Sequence, residues 1–181
     1  MRISVFLSFP QPHLKVQKEF IEKVADFLRN GGFEPRTLGV TDYDMSAPLT
    51  AIRRLMLESN GMVTIAFRRT KLVQALLRAG ADLPDQSESP INDAWLTSPY
   101  CQIEPAMAYQ LGLPVLIFRE KGVIADGILE KGVVGTYMPE FDLSKPIDAY
   151  LNSGEWKDVL GRWEGYVRAV VETKGNPPKL Y

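Results

Sequence analysis

Short apolar runs separated by stretches of helical periodicity constrain this chain more than any other feature. Ile3 to Phe9 is a short β-rich run that stops at Pro10 and Pro12. Met62 to Phe67 is uninterrupted and apolar, as a parallel strand covered on both faces must be, and is the expected sheet centre. Leu113 to Phe118 has the same character, with Pro114 near its start. Between the first two runs, Phe20, Ile21, Val24, Phe27 and Leu28 follow helical spacing within Leu14 to Asn30, and Gly31-Gly32 supplies a left-handed stop. Strands alternating with helices imply right-handed crossovers and an α/β architecture, a mostly parallel central sheet with helices on both faces.

The remaining segments fit around that frame. Phe33 to Leu38 is a strand that Pro35 confines to an edge or end of its sheet, and Gly39 to Ala47 is a polar loop. Ser46 and Pro48 open a helix carrying Ile52, Leu55 and Met56, closed by Asn60-Gly61. Leu72, Val73, Leu76 and Leu77 suggest a short helix ending near Gly80, and Ala81 to Asp93 is a surface excursion. Pro105 to Leu111 is expected to be helical, and Trp156, Val159, Leu160, Trp163, Val167, Val170 and Val171 mark a long final helix. The expected organisation is a single domain over residues 1–174, with an insertion at about 68–94 and a tail at 175–181.

Composition narrows the chemistry. With 21 Lys+Arg against 22 Asp+Glu in 181 residues, the chain lacks the positive footprint of sequence-independent nucleic-acid binding, so no nucleic-acid partner is expected. No stretch approaches a membrane span and the N-terminus has no signal-peptide pattern, so a cytoplasmic protein without membrane contact is expected. Neither a Gly-x-Gly-x-x-Gly nor a Walker-type phosphate loop occurs. One His and one Cys leave no conventional zinc site, and no metal is expected. His13 reads as an exposed loop histidine without a nucleophile elbow, and Cys101 as a buried small hydrophobe.

Open parallel sheets bind ligands at the carboxyl ends of their strands, which directs attention to Ser8–His13, Gly39–Ala47, the residues after Phe67 and the loop before Pro105. Three segments there carry a resemblance. Val5-Phe6-Leu7-Ser8-Phe9 looks like the opening box of Toll/interleukin-1 receptor (TIR) domains, and Pro48-Leu49-Thr50-Ala51-Ile52, Ser59 and Met62–Phe67 resemble the family's second helix and third strand. Ser98-Pro99-Tyr100-Cys101-Gln102-Ile103-Glu104 resembles its Ser-x-Trp-Cys-x-x-Glu segment, with Tyr100 for the usual Trp, and Ala106 to Phe118 matches the following helix and strand. The resemblance covers about residues 1 to 120. The connection from Phe67 to Ala94 is longer than usual, and the chain past Arg119 matches poorly.

The resemblance implies a flavodoxin-like fold and an NAD glycohydrolase or cyclase. NAD is then a substrate, with no cofactor, cleaved at the nicotinamide–ribose bond to ADP-ribose or a cyclic ADP-ribose-type messenger. Glu104 falls at the family's catalytic glutamate. Lying before Pro105, it is expected near a helix N-terminus and ionised, as an oxocarbenium-like transition state requires. Ser8 and Phe9 are expected to line the nucleotide site, Tyr100 to stack on nicotinamide or adenine from one turn away, and Trp95 to be a second stacking wall.

Each assignment has a plainer structural counterpart. Glu104 by itself would be a first-turn acid, Tyr100 a core ring, Ser8 and Phe9 ordinary strand packing, and Trp95 an anchor for the excursion. Asp42 and Asp44 would be turn formers in a loop that in TIR domains gates the site and meets neighbouring subunits. Arg53-Arg54 and Arg68-Arg69 would be solvated, although an arginine after the central strand can meet a diphosphate. The resemblance further implies self-association through TIR surfaces and, for a stand-alone bacterial type as in Thoeris anti-phage defence, a separate effector that senses the product. Two other functions remain open: a nucleoside deoxyribosyltransferase or nucleotide N-glycosidase using the same glutamate, and a non-catalytic TIR interaction module.

Overall fold

The apolar runs at Ile3, Met62 and Leu113 become strands of one sheet. A computed structural model describes residues 2–134 and 138–173, so the tail at 175–181 lies outside the described residues. In chain order the elements are β1 (Ile3–Ser8), α1 (Lys15–Asn30), β2 (Phe33–Arg36), α2 (Pro48–Leu57), β3 (Met62–Ala66), β4 (Thr70–Leu77), β5 (Ser89–Leu96), α3 (Tyr100–Gln110), β6 (Val115–Glu120), a 3-10 turn (Gly127–Leu129), β7 (Glu140–Phe141), α4 (Ile147–Leu151) and α5 (Gly154–Glu172). The main sheet has the order β2-β1-β3-β6-β7 and every pairing in it is parallel. Taking only its own strands, this is the 2-1-3-4-5 order of flavodoxin-like folds.

The alternation of side chains across β1, β3 and β6 divides the interior. Val5, Leu7, Val63, Ile65, Phe67, Leu116 and Phe118 face α1, α4 and α5 in the larger core. There Phe20 stacks on Phe141 with ring centroids 4.4 Å apart, and Trp156 packs on Phe118 at 4.7 Å. The opposite face puts Phe6 and Met62 under Ile52, Leu55 and Met56 of α2 and Ala108 of α3. Gly32, at φ +87°, turns the chain out of α1. Pro35 pairs with Val5 on an edge strand, where its missing N–H costs nothing.

Two expectations are corrected. Residues 72–77 form no helix: β4 pairs antiparallel with β5 in a separate two-stranded sheet between β3 and α3. A short amphipathic helix is stabilised by burying its stripe, and Val73, Leu76 and Leu77 are exposed with no core beside them. The helix expected at Pro105 begins five residues earlier at Tyr100, leaving Pro105 inside it. By contrast, α5 follows the apolar spacing read in the sequence, and Ser153 Oγ accepts the Trp156 N–H at 3.2 Å as its N-cap.

Gly61 is the tightest joint between the sheet and α5. A Cβ there would lie 2.5 Å from Val167 Cγ2 and 3.1 Å from the Trp163 ring. Gly61→Ala is expected to lose about 1–3 kcal/mol by overpacking. Val167→Ala introduced with it should recover part of that loss in denaturant or thermal unfolding. Equal stability of wild type and Gly61→Ala would contradict this packing.

Candidate active site

Position 8 ends β1 and position 64 lies beside it on β3, the two being register partners in the parallel pair. Both side chains fall on the α2/α3 face, where their neighbours along the strands are Phe6, Met62 and Ala66. Sequence thus places two hydroxyls side by side in an otherwise apolar layer. Ser8 and Thr64 are buried, and so is Glu104, 8% exposed, which α3 lowers onto this patch. The Ser8 hydroxyl donates to Glu104 Oε2. Among the described residues the Thr64 hydroxyl has no hydrogen-bond partner.

Burial pushes the Glu104 carboxyl up to about 7, with the Ser8 hydrogen bond pulling the other way. This corrects the expectation of a fully ionised first-turn acid. Because α3 starts at Tyr100, Glu104 occupies its second turn, where the field of the helix terminus has faded. No cation is among the causes that act on it, so desolvation decides. Pro105 brings no N–H to the ladder and leaves the Cys101 carbonyl without its usual partner, yet the helix runs on to Gln110. A carboxyl poised between its two forms near neutrality suits charge stabilisation or proton transfer.

The other residues singled out from sequence disperse. Phe9 packs against the larger core on the opposite face of the sheet from Glu104, because alternation sends adjacent residues apart. Tyr100 is four residues from Glu104 on α3 but exposed, while the carboxyl is buried. Trp95 is an anchor: its N–H donates to the Gly122 carbonyl at 3.0 Å, its carbonyl accepts from Ile124, and Arg68 and Lys71 lie over its ring. Cys101 is buried with its thiol pushed up to about 12, which leaves it no nucleophilic character.

The loop acids have structural partners. Asp42 is held below the usual carboxylate range by Arg36, and Asp44 accepts from the Ser46 N–H and pairs with Arg54. His13 is exposed.

Sequence inspection missed a second buried polar group at the same sheet edge. Glu120, at the end of β6, accepts the Arg68 N–H at 2.8 Å, and fully buried Gln17 donates to the Arg68 carbonyl at 3.1 Å. Arg68 also donates through Nε to the Lys121 carbonyl, so it is tied into the fold. Desolvation raises the Glu120 carboxyl above its ordinary range. The available signal was positional: an acid ending an apolar parallel strand. Thr64 carried a comparable signal, a lone hydroxyl within the most apolar run.

A cavity of about 1060 Å³ lies between α3, the start of β6 and α5, against Leu113, Val115, Val159, Trp163 and Tyr166. A smaller one, about 300 Å³, lies between Phe9, Ile21, Asp26, Arg29 and Thr37. Neither is lined by Glu104. Among the described residues there is no group of three or more His, Cys, Asp or Glu placed to hold a metal ion. No described helix is long and apolar enough to cross a membrane.

No protein-family model matches the sequence, and no curated protein matches it significantly. Among solved structures, the Clostridium botulinum CMP N-glycosidase overlays with a TM-score of 0.46 at 16% identity, covering 82% of this chain and 94% of that one. The TIR domains of the activated Roq1 resistosome overlay at 0.42 with 14% identity, covering 94% and 84%. The flavoenzyme NAD(P)H:(acceptor) oxidoreductase FerB from Paracoccus denitrificans overlays at 0.36 with 12% identity, covering 94% and 95%. Scores at this level bear on no residue's role.

The raised Glu104 carboxyl makes a prediction about stability. Its folded value of about 7 lies above the 4.5 of an ordinary glutamate, so its stabilising contribution is complete below about pH 4.5 and is lost as pH rises through about 7. Above that, the buried charge costs on the order of 3 kcal/mol relative to a neutral isostere. Glu104→Gln is therefore expected to melt higher than wild type at pH 8, with the difference shrinking toward pH 5. Melts of the two proteins across that range check it. A variant less stable at pH 8 would mark Glu104 as an ordinary structural acid.

Proposed function

We propose that this chain is a TIR-type NAD-processing enzyme in which Glu104 carries the chemistry. The observation behind the reading is a buried carboxyl at the ends of the central strands that takes a hydrogen bond from Ser8 and, unlike Glu120, has no cation acting on it. Such a site accommodates a cationic substrate group. The nicotinamide of NAD is a pyridinium, and bringing it beside Glu104 supplies the missing counter-charge and draws the carboxyl to its ionised form. The C1′–N bond then breaks toward nicotinamide, which leaves neutral and takes the bonding pair. The carboxylate stabilises the ribosyl oxocarbenium left behind.

Water adding to C1′ gives ADP-ribose, and a nucleophile within the ADP-ribose portion gives a cyclic product. Ser8 orients the carboxyl through its hydrogen bond, and Tyr100, exposed at the start of α3, is available to stack on a base. In this proposal the protein is a cytoplasmic bacterial defence component of the Thoeris kind, whose product is sensed by a separate effector. Self-association through TIR surfaces, with the loop 39–47 at the contact, admits substrate to a carboxyl that the isolated chain keeps covered.

Nicotinamide release from NAD tests the reading. Glu104→Gln is expected to lose about 10²- to 10³-fold in turnover while remaining folded. kcat/KM of wild type should rise with pH through about 7, following the ionised fraction of the free protein, while kcat levels off at lower pH because the bound pyridinium favours the carboxylate. Retention of most NAD cleavage by Glu104→Gln would overturn the assignment. Base release from nucleosides, measured in parallel, decides for a deoxyribosyltransferase or N-glycosidase if it exceeds nicotinamide release.

Dilution provides a separate check on assembly. If it is required, specific activity falls as the protein is diluted. A value constant across a wide dilution series would remove that requirement.

A further inference from the structure

The β4–β5 ribbon is a two-stranded sheet standing off the main domain, an arrangement that is marginal in water unless something covers it. Val73, Leu76, Leu77 and Leu83 are each about half or more exposed on it. Its two outer edges are not equivalent. Along β5, Trp95 hydrogen-bonds to Gly122 and Ile124, Pro90 lacks an N–H, and Asp93 sits at φ +51°, all of which blunt strand addition. Along β4, the run Thr70–Leu77 contains no proline and no left-handed residue, and among the described residues no strand lies on its far side.

The backbone phase of that edge follows from the register. Trp95, the partner of Lys71, turns its N–H and carbonyl away from β4. Lys71, Val73, Ala75 and Leu77 therefore turn theirs to the open edge. Charge is also distributed unevenly along the ribbon. At its base Arg68 pairs with Glu120 and Lys71 with Asp93, which among the described residues leaves Arg69 as the cation without an ion pair there, whereas its far turn carries Asp82, Asp85 and Glu88 alongside Arg78. Among the described residues Arg69, Asp82 and Asp85 form no ion pair.

We propose that two copies of this chain pair through the free edge of β4, antiparallel about a two-fold axis, to make a four-stranded sheet. Antiparallel pairing brings the acidic turn of one copy to Arg69 at the base of the other, twice over. A two-fold contact is self-complementary in this way by construction. Parallel pairing would set like charges against each other. The outward N–H and carbonyl groups of β4 gain partners, and the exposed Val73 and Leu77 meet apolar neighbours of the second copy. This surface is separate from the loop 39–47, and the proposal is independent of the chemistry of Glu104.

Sedimentation equilibrium of the full chain over a wide concentration series is the test, with circular dichroism and thermal melts to confirm folding. Wild type is expected to dimerise, and more weakly at high ionic strength. The double variant Val73→Lys, Leu77→Lys alters only exposed side chains on the edge and is expected to raise the dissociation constant about tenfold or more. Arg69→Glu should weaken the dimer, and adding Asp85→Arg in the same chain should restore it.

A wild type that is monomeric throughout would overturn the proposal, as would a dimer indifferent to the lysines. A dimer abolished by the lysines but unmoved by charge reversal would overturn the antiparallel arrangement. If the lysine variant is misfolded, the charge-reversal pair decides by itself.

Discussion

Residues Met62 to Ala66 have no access to solvent on either face of the sheet, and the rest of the molecule is arranged to keep it so. A parallel strand in this position needs helices above and below, and a neighbour on each side to satisfy its ladder. β1 and β6 provide the ladder, α1 and α5 cover one face, and α2 and α3 the other. Val63 and Ile65 can be large because the α1/α5 side is deep. On the other side Thr64 and Ala66 are small, and this lets α3 approach closely. The close approach brings Glu104 to Ser8, so the candidate site is a consequence of how the second face is packed.

Packing of this kind also explains the state of the carboxyl. A glutamate in the first turn of a helix sits in the field of unpaired N–H groups and ionises readily. One turn further along, over a buried sheet, it has only what its neighbours provide. Here that is the Ser8 hydroxyl. The hydroxyl of Thr64 contributes a polar surface but no bond. A hydroxyl without a partner and a buried carboxyl with no counter-charge are both expensive in a core, and both lie where parallel sheets place ligands.

Long-range order was legible wherever one pattern had one interpretation. The strands at Ile3, Met62 and Leu113, the central place of Met62–Phe67, the edge strand with Pro35 and the final helix all follow from apolar period and proline position. Leu72 to Leu77 reads equally as helix or strand because its four large apolar residues satisfy either period, and only the missing core excludes a helix. The start of α3 is hidden in the sequence because Pro105, favourable in a first turn, sits here in the second. A start at Pro105 would also make Glu104 ionised. Phe9 was grouped with Ser8 by adjacency in sequence, whereas adjacency in a strand is what separates two side chains. Glu120 and Gln17 escaped notice because their pairing depends on Arg68, whose route off β3 is tertiary information.

The insertion occupies the connection between β3 and α3, and its position limits what it can affect. It leaves the sheet at Phe67, past the central strand, and returns through Thr97 and Ser98 into the first turn of α3. Its base is fixed at both strands. Arg68 is held by Glu120 and Lys121, and Trp95 by Gly122 and Ile124. The returning chain is fixed again where Thr97 Oγ1 lies 3.5 Å from Cys101 Sγ and Ser98 accepts from the amides of Tyr100 and Cys101. The ribbon is therefore free only beyond these contacts, where its side chains are exposed. An excursion of this length at the mouth of the sheet would ordinarily loosen the helix that follows. Anchoring Trp95 to the loop after β6, and packing it beside Cys101, holds the start of α3 against the ribbon's movement, so Glu104 keeps its place over the sheet.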